Sequence, residues 1–408
     1  MSEWNEIRLG DLCTFISRGI TPQYVDVGTP VINQKCIRNN KVDLSLCKFT
    51  DTTQKIKNEK YVEYGDILIN STGAGTLGRV AIYKHHLDSV SADGHVTILH
   101  TKGNVNSVYL GYYLHSIEPL IENLGRGSTN QMELSPTDLK RIKIVLPCLD
   151  TQKLIAEILS AYDDLIENNN RRIALLEKAA QELYKEWFVR FRFPGCENAK
   201  FENGLPEGWE YIRFGNAIEI IDGDRGVNYP KQEEFYEEGE CLFLNAGNVT
   251  KNGFDFSSCA YITKEKDQLL RKGKLQTGDV VLTTRGTVGN VAFLNETMTF
   301  SPMRINSGMV ILRNLGVVSP EYIYTALRHE SLQKAMMMYA SGSAQPQLPI
   351  KDMRRIKIIK ADAQTMDKFT KYVADIYKQV SLMIIKNQAI SKQRDLLLPR
   401  LMSGKLEV

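Results

Sequence analysis

From residue 150 to about residue 193 the chain carries neither proline nor glycine, while Pro147 precedes the stretch and Pro194-Gly195 follows it. Uninterrupted chain between two such breakers predicts one long helix. Its apolar residues recur at Ile155, Ile158, Tyr162, Leu165, Ile173, Leu176, Ala180, Leu183 and Trp187. The steps alternate three and four except around residues 168–170, where Asn169 takes the inward position and one extra residue enters. This reads as a narrow coiled-coil seam with a stutter. About 40 residues at 1.5 Å rise give a rod of roughly 60 Å. Such a rod cannot bury its seam against itself, so it needs a partner helix.

A partner is present in the same chain. Beyond Asp362, the residues Met366, Phe369, Val373, Ile376, Val380, Met383 and Ile390 repeat the three-four step, with Asn387 on the seam and Pro399 near the end. A polar asparagine on a seam fixes register at some cost in stability. Whether Asn169 meets Asn387 is open at this level.

A chain of 408 residues exceeds one hydrophobic core and predicts at least two domains. No apolar run reaches the length of a membrane span, and the first residues lack a basic-then-apolar signal pattern, so a cytoplasmic protein is expected. The seven cysteines (13, 36, 47, 148, 196, 241, 259) show no metal-ligand spacing, which predicts reduced thiols, mostly in the core, and no zinc site. A net charge of +3 implies that any nucleic-acid surface must be local rather than global.

The chain repeats itself. Trp4, Ile7, Arg8 and Gly10 match Trp209, Ile212, Arg213 and Gly215. Asn33 matches Asn245, and Gly65-Asp66 matches Gly278-Asp279. Gly75-Thr76-Leu77-Gly78 matches Gly286-Thr287-Val288-Gly289, and Arg141-Ile142-Lys143 matches Arg355-Ile356-Lys357. One of the two long helices follows each copy. The expected organisation is therefore a domain over 1–149, a central helix over 150–195, a second domain over 196–360 and a C-terminal helix over 361–408. A duplicated module predicts a pseudo-two-fold molecule whose helices pair antiparallel. Short Val-, Ile- and Thr-rich strands (66–70, 79–83, 95–100, 142–146) are broken by glycine turns, with helices over 107–116 and 320–329. Clustered strands without regular crossover helices indicate an α+β domain.

Gly73, Gly75 and Gly78 form a G-x-G-x-x-G string after a strand. A dinucleotide site requires a helix to open there, whereas Arg79-Val80-Ala81-Ile82-Tyr83 is strand-like, so a glycine-rich hairpin is expected. The string also lacks the Lys-Ser/Thr of a phosphate-binding loop. The six histidines (85, 86, 95, 100, 115, 329) have no counterparts between the copies and read as ordinary core or surface residues. No catalytic constellation stands out.

Polar and basic loop residues do recur in both copies. The first offers Arg18, Asn33, Gln34, Lys35, Arg38, Ser71, Thr72, Thr76, Arg79, Arg126, Ser128, Asn130 and Gln131. The second offers Arg225, Asn245, Asn248, Lys251, Thr284, Arg285, Thr287, Arg304, Ser343, Gln345 and Gln347. Arginine pairs in bidentate fashion with guanine, and asparagine or glutamine with adenine. Lysine, serine and threonine grip phosphate. These residues are the expected contacts to two half-sites on duplex DNA.

The residues from Tyr184 to Gly195, with Trp187-Phe188-Val189 at their centre, resemble the central junction of specificity subunits of type I restriction–modification enzymes. So do Leu205-Pro206-Glu207-Gly208-Trp209, which open the second copy, and Leu398-Pro399-Arg400-Leu401-Met402-Ser403-Gly404-Lys405 at the C-terminus. The resemblance covers essentially the whole chain, with Arg190 a mild departure where the family often carries an acidic residue. It implies two target-recognition domains reading an asymmetric bipartite DNA site, spaced by an antiparallel coiled coil. It further implies a non-catalytic subunit that binds no cofactor itself. The partners would be two modification subunits carrying S-adenosylmethionine chemistry, and restriction subunits using ATP and magnesium. Two other readings stay open: a nucleotide- or cofactor-dependent enzyme using the Gly73 to Gly78 loop, and a coiled-coil scaffold that binds only protein.

Overall fold

The computed structural model describes residues 4–127, 132–256, 258–298, 302–342 and 346–408. The chain divides into two compact units, 1–164 with 392–408 and 165–391. The first unit thus draws its last segment from the C-terminal end of the sequence, whereas the second is one continuous stretch of chain.

The first unit is built on an antiparallel sheet in the order Cys13–Arg18, Val96–Thr101, Ile67–Asn70, Val80–Ile82. Side chains alternate faces along a strand. Ile67, Ile69, Val80, Ile82 and Leu99 pack on one face with Tyr109 and Leu110 of the helix Ser107–Ser116. Leu68, Ala81 and Ile98 pack on the other with Ile32, Ile37 and Val42. Cover on both faces explains why these strands read as unbroken apolar runs rather than alternating ones. A second sheet orders Ser91–Ala92, Thr29–Ile32, Lys48–Thr50 and Tyr24–Val25. Its parallel pair sets Ile32 beside Ala92.

The second unit has the same strand order: Ile218–Asp222, Met309–Asn314, Val280–Thr283, Val291–Phe293. Val280, Leu282, Val310 and Leu312 face Tyr322 and Ile323 of the helix Pro320–Arg328. Val281, Ala292 and Ile311 face Leu242, Leu244 and Val249. A parallel pair again joins the layers, with Leu244 beside Ile305. A Cβ on Gly19 would lie 1.9 Å from the Ala92 carbonyl oxygen, and one on Gly223 would lie 2.2 Å from that of Asn306. Both crossings therefore demand glycine. The mixed helix and antiparallel-sheet architecture is the α+β class expected.

The central helix runs Leu149–Tyr184, shorter than expected, and gives way to a π turn over Lys185–Val189. The cause is aromatic. Consecutive residues on an α-helix point about 100° apart, yet Trp187 and Phe188 are both buried. Phe188 stacks edge-on against Phe369 at 4.9 Å and Tyr322 at 5.0 Å, while Trp187 meets Phe369 at 5.7 Å. The wider turn admits both rings. Phe191, at a left-handed φ of 55°, then ends the helical path.

Around Asn169 the buried positions do break the alternation, with Asn169, Ile173 and Glu177 two successive steps of four apart. The buried series runs Ile155, Leu159, Asp163, Ile166, Asn169, Ile173, Glu177, Ala180, Tyr184 and Trp187, in steps of three and four that do not alternate strictly. Two of these, Asp163 and Glu177, are carboxylates, which the apolar series passed over. Leu165 lies outside the seam at 39% exposure, whereas Ile158, Tyr162 and Leu176 flank it half-buried. On the second helix, Ala363–Met402, Val373, Val380, Met383 and Ile390 are buried, with Ile376 and Asn387 half-buried beside them.

Within the second unit the two helical segments run in opposite directions. Trp187 meets Phe369 toward one end, Ile173 packs on Val380 and Met383, and the asparagines meet toward the other. There the Asn169 amide donates to Asn387 Oδ1 at 2.7 Å, and the Asn387 amide donates to Asn170 Oδ1 at 2.9 Å. In the first unit Asp163 accepts from Arg394 at 2.5 Å and from the Tyr112 hydroxyl.

All seven cysteines are free, but only Cys13, Cys36 and Cys241 are buried and Cys148 is exposed, so fewer lie in the core than expected. Among the described residues no group of histidine, cysteine and carboxylate side chains could hold a metal ion, and no helix is long and apolar enough to cross a membrane.

Candidate nucleic-acid interface

In each unit a set of loops gathers where the central strands end, held by one hydrogen-bond frame. The Ser71 amide donates to the His95 carbonyl at 2.8 Å and the Ser71 carbonyl accepts from Leu134 at 2.9 Å. In the second unit Thr284 donates to Gly308 and accepts from Leu348, both at 2.9 Å. Thr72 then bridges to Glu133, and Arg285 to Gln347. Asp93 and Asn306 occupy equivalent turns: their Oδ1 atoms accept from the amides of His95 and Gly308, each at 2.9 Å. Asn33 caps the next loop by accepting from the Lys35 amide at 2.9 Å, as Asn245 does from Gly247 at 2.7 Å.

The frame removes several expected contacts from the surface. Ser71 is fully buried against the Thr97 hydroxyl at 2.5 Å, and Thr284 is buried with its hydroxyl on the Gly308 carbonyl. Asn33 is buried and donates to the Leu46 carbonyl at 3.0 Å. Asn248 accepts from Asn245 and donates to the carbonyls of Asp255 and Ser258 at 2.9 and 2.8 Å. Arg304 is 5% exposed, bonded to Asp267 at 2.5 Å and to the carbonyls of Lys272, Asp267 and Leu270. Burial acts to raise the Asp267 carboxyl, but bonds from Lys274 and Arg304 hold it below its usual value. All five residues are structural. Polar type and loop position suggested contact, whereas the side chains are used up inside the protein.

Asn248 provides a direct check. Asn248→Ala removes the side-chain hydrogen bonds to the Asp255 and Ser258 carbonyls and from the Asn245 amide, which should lower stability by about 1–3 kcal/mol. Urea unfolding followed by tryptophan fluorescence would read this as a lower midpoint. An Asn248→Ala variant as stable as the parent would contradict the structural role.

Other expected residues are surface-accessible but tied. Arg18 donates to Glu133 and to the Leu134 carbonyl, and Arg225 to Asp222 and the Ser307 carbonyl. Arg79 donates to the Gly75 carbonyl at 2.8 Å, and Arg126 pairs with Asp138 at 3.0 Å. Thr76 donates to the carbonyls of Thr72 and Gly73. Gln34, Lys35, Arg38, Thr72, Lys251, Arg285, Thr287 and Gln347 remain exposed or half-exposed. Ser128, Asn130, Gln131, Ser343 and Gln345 lie outside the described residues.

Residues 73–78 form a hairpin loop, as expected: Ile67–Asn70 pairs antiparallel with Val80–Ile82, and Gly73, Gly75 and Gly78 all have positive φ. No helix opens at the third glycine to present amides to a phosphate.

The loop cluster also holds a residue that the sequence did not single out. His95 is exposed in the same loop cluster, its Nδ1 2.8 Å from the Thr72 hydroxyl. The absence of a histidine in the second copy had argued against it, but Gly308 holds the equivalent frame position.

The two units thus mount differing polar side chains on one shared loop frame. The family described as type I restriction modification DNA specificity domain matches residues 1–178 and 206–390. The chain belongs to this family, whose members are the DNA sequence-specificity subunits of type I restriction–modification systems. It is 30% identical to the type I restriction enzyme MjaIX specificity subunit of Methanocaldococcus jannaschii, over 84% of this chain and 78% of that protein. It is 24% identical to the HindI specificity subunit of Haemophilus influenzae over the full length of both. The crystal structure of a type I S subunit from M. genitalium shares the fold, with a TM-score of 0.55 at 18% identity over 98% of this chain and 96% of that one.

Proposed function

We propose that this chain reads an asymmetric, two-part DNA sequence, one half with each unit, and carries no catalytic step itself. The observation that bears most weight is the shared loop frame with different residues mounted on it. Thr72 stands where Arg285 does, His95 where Gly308 does and Gln34 where Ala246 does. Equal frames with unequal side chains suit two heads that read different bases. The matched strand orders support a duplicated domain, and the opposed helical segments with their asparagine contact support an antiparallel coiled coil that spaces the heads.

On this reading the chain works in the cytoplasm with two modification subunits and with restriction subunits. S-adenosylmethionine, ATP and magnesium belong to those partners. Specificity follows from base-edge contacts, whereas Lys35, Arg38 and Lys251 grip phosphate and set affinity. The test is duplex binding by this chain assembled with its modification subunit, across a library of sequences at fixed salt. Selection of one bipartite sequence is expected. Uniform binding to all sequences, or none, would leave only a protein scaffold.

A further inference from the structure

Once the frame residues are set aside, the loop cluster holds few side chains free to face a base. In the second unit the most notable is Arg285. Arg18, Arg79, Arg126, Arg225 and Arg304 are each tied to a carboxylate or carbonyl. The Arg285 guanidinium pairs with no carboxylate among the described residues, and its Nε is buried without a partner there. Its backbone is held on both sides, by the Gly308 carbonyl at 3.2 Å and by the bridge to Gln347. Gly308, lacking a side chain, stands where His95 stands in the first unit. Arg285 is thus a fixed backbone carrying an uncommitted planar fork.

The first unit fills the same place differently. The Thr72 hydroxyl donates to Gln34 Oε1 at 3.2 Å, so it accepts from His95 Nδ1 at 2.8 Å. A neutral imidazole donates from one nitrogen only. With the proton on Nδ1, Nε2 is an acceptor, and no described residue bonds to it. Adjoining positions of the shared frame, Arg285 in one unit and His95 in the other, therefore present opposite polarities, a double donor and a single acceptor.

We propose that these are the specificity-determining positions of the two half-sites: Arg285 reads a guanine through O6 and N7. His95, held by Thr72 and Gln34, reads an exocyclic amino group, that of adenine or cytosine, in the major groove. The chemistry follows from the groove code, in which guanine alone offers two adjacent acceptors and the amino groups of adenine and cytosine are donors. The inference rests on the two-headed reading above and goes further by assigning bases to residues.

The test is methylation mapping with the assembled complex carrying Arg285→Ala, Arg285→Lys or His95→Ala. Both arginine variants should relax one guanine position in one half-site, by roughly tenfold to a hundredfold in discrimination. Lysine keeps the charge but not the bidentate fork. His95→Ala should relax one position in the other half-site and leave the guanine requirement intact. Arg285→Ala weakening binding to all sequences alike with full discrimination retained would make Arg285 a phosphate anchor and overturn the assignment. So would relaxation by Arg285→Ala and His95→Ala in the same half-site. If the parent complex itself showed no bipartite motif, the two-headed reading would fail first, and the two failures are thereby separate.

Discussion

Arg328→Met is expected to destabilise the second unit by about 3–5 kcal/mol, because it strands a buried carboxylate. Arg328 donates to Glu177 at 2.5 Å, to the Tyr324 hydroxyl at 2.5 Å and to the Lys251 carbonyl at 2.7 Å. The Tyr324 hydroxyl donates to the other Glu177 oxygen at 3.1 Å. Glu177 is only 5% exposed, so nothing else can solvate it. Burial raises the Glu177 carboxyl above its ordinary value, and Arg328 offsets this only in part. A carboxyl whose folded pKa is raised binds more protons folded than unfolded, so its contribution to stability falls as pH climbs through that window. Removing Arg328 extends the window upward. The loss should be largest in mildly alkaline buffer and shrink in mildly acidic buffer, where Glu177 takes up a proton. Urea unfolding at both conditions would show it. A deficit that grows on acidification would contradict the stranded charge.

Inserting one heptad after Asp164 and one after Ser391 should lengthen the gap between half-sites without changing the bases read. The insertion keeps the three-four phase of both seams, so Asn169 and Asn387 retain each other. A heptad adds about 10 Å of helix, and base pairs rise about 3.4 Å. The expected gain is about three base pairs of spacer. A motif with the original spacer would show that the helices do not set the distance, while a motif with new bases would show that the insertion had disturbed the heads.

Long-range organisation was legible in the chain because it rests on period and punctuation. The proline- and glycine-free stretches marked the helices, the repeated Gly-Asp and Gly-Thr-x-Gly strings marked equivalent strands, and Asn169 and Asn387 marked the seam. What escaped was decided by tertiary context. Asp163 and Glu177 sit on the seam as carboxylates, acceptable because Arg394 with Tyr112 and Arg328 with Tyr324 bind them. No apolar count could find them. Asn248 and Arg304 carry the residue types of base readers but spend their hydrogen bonds on backbone carbonyls and Asp267. Cys36, at the position equivalent to Asn248, accepts from the Asn33 amide at 3.4 Å. That correspondence was the signal that the position is structural: a base reader is not replaced by a thiol that makes the same internal bond. His95 escaped for the opposite reason, since a histidine facing a glycine in the repeat looked incidental until the shared frame placed both.

The most direct measurement is a map of methylated adenines on DNA treated with this chain and its modification subunit, compared with DNA treated with the modification subunit alone. The account predicts one asymmetric motif of two short parts separated by unspecified bases, present only when this chain is included. Methylation without such a motif, or a pattern indifferent to this chain, would contradict it.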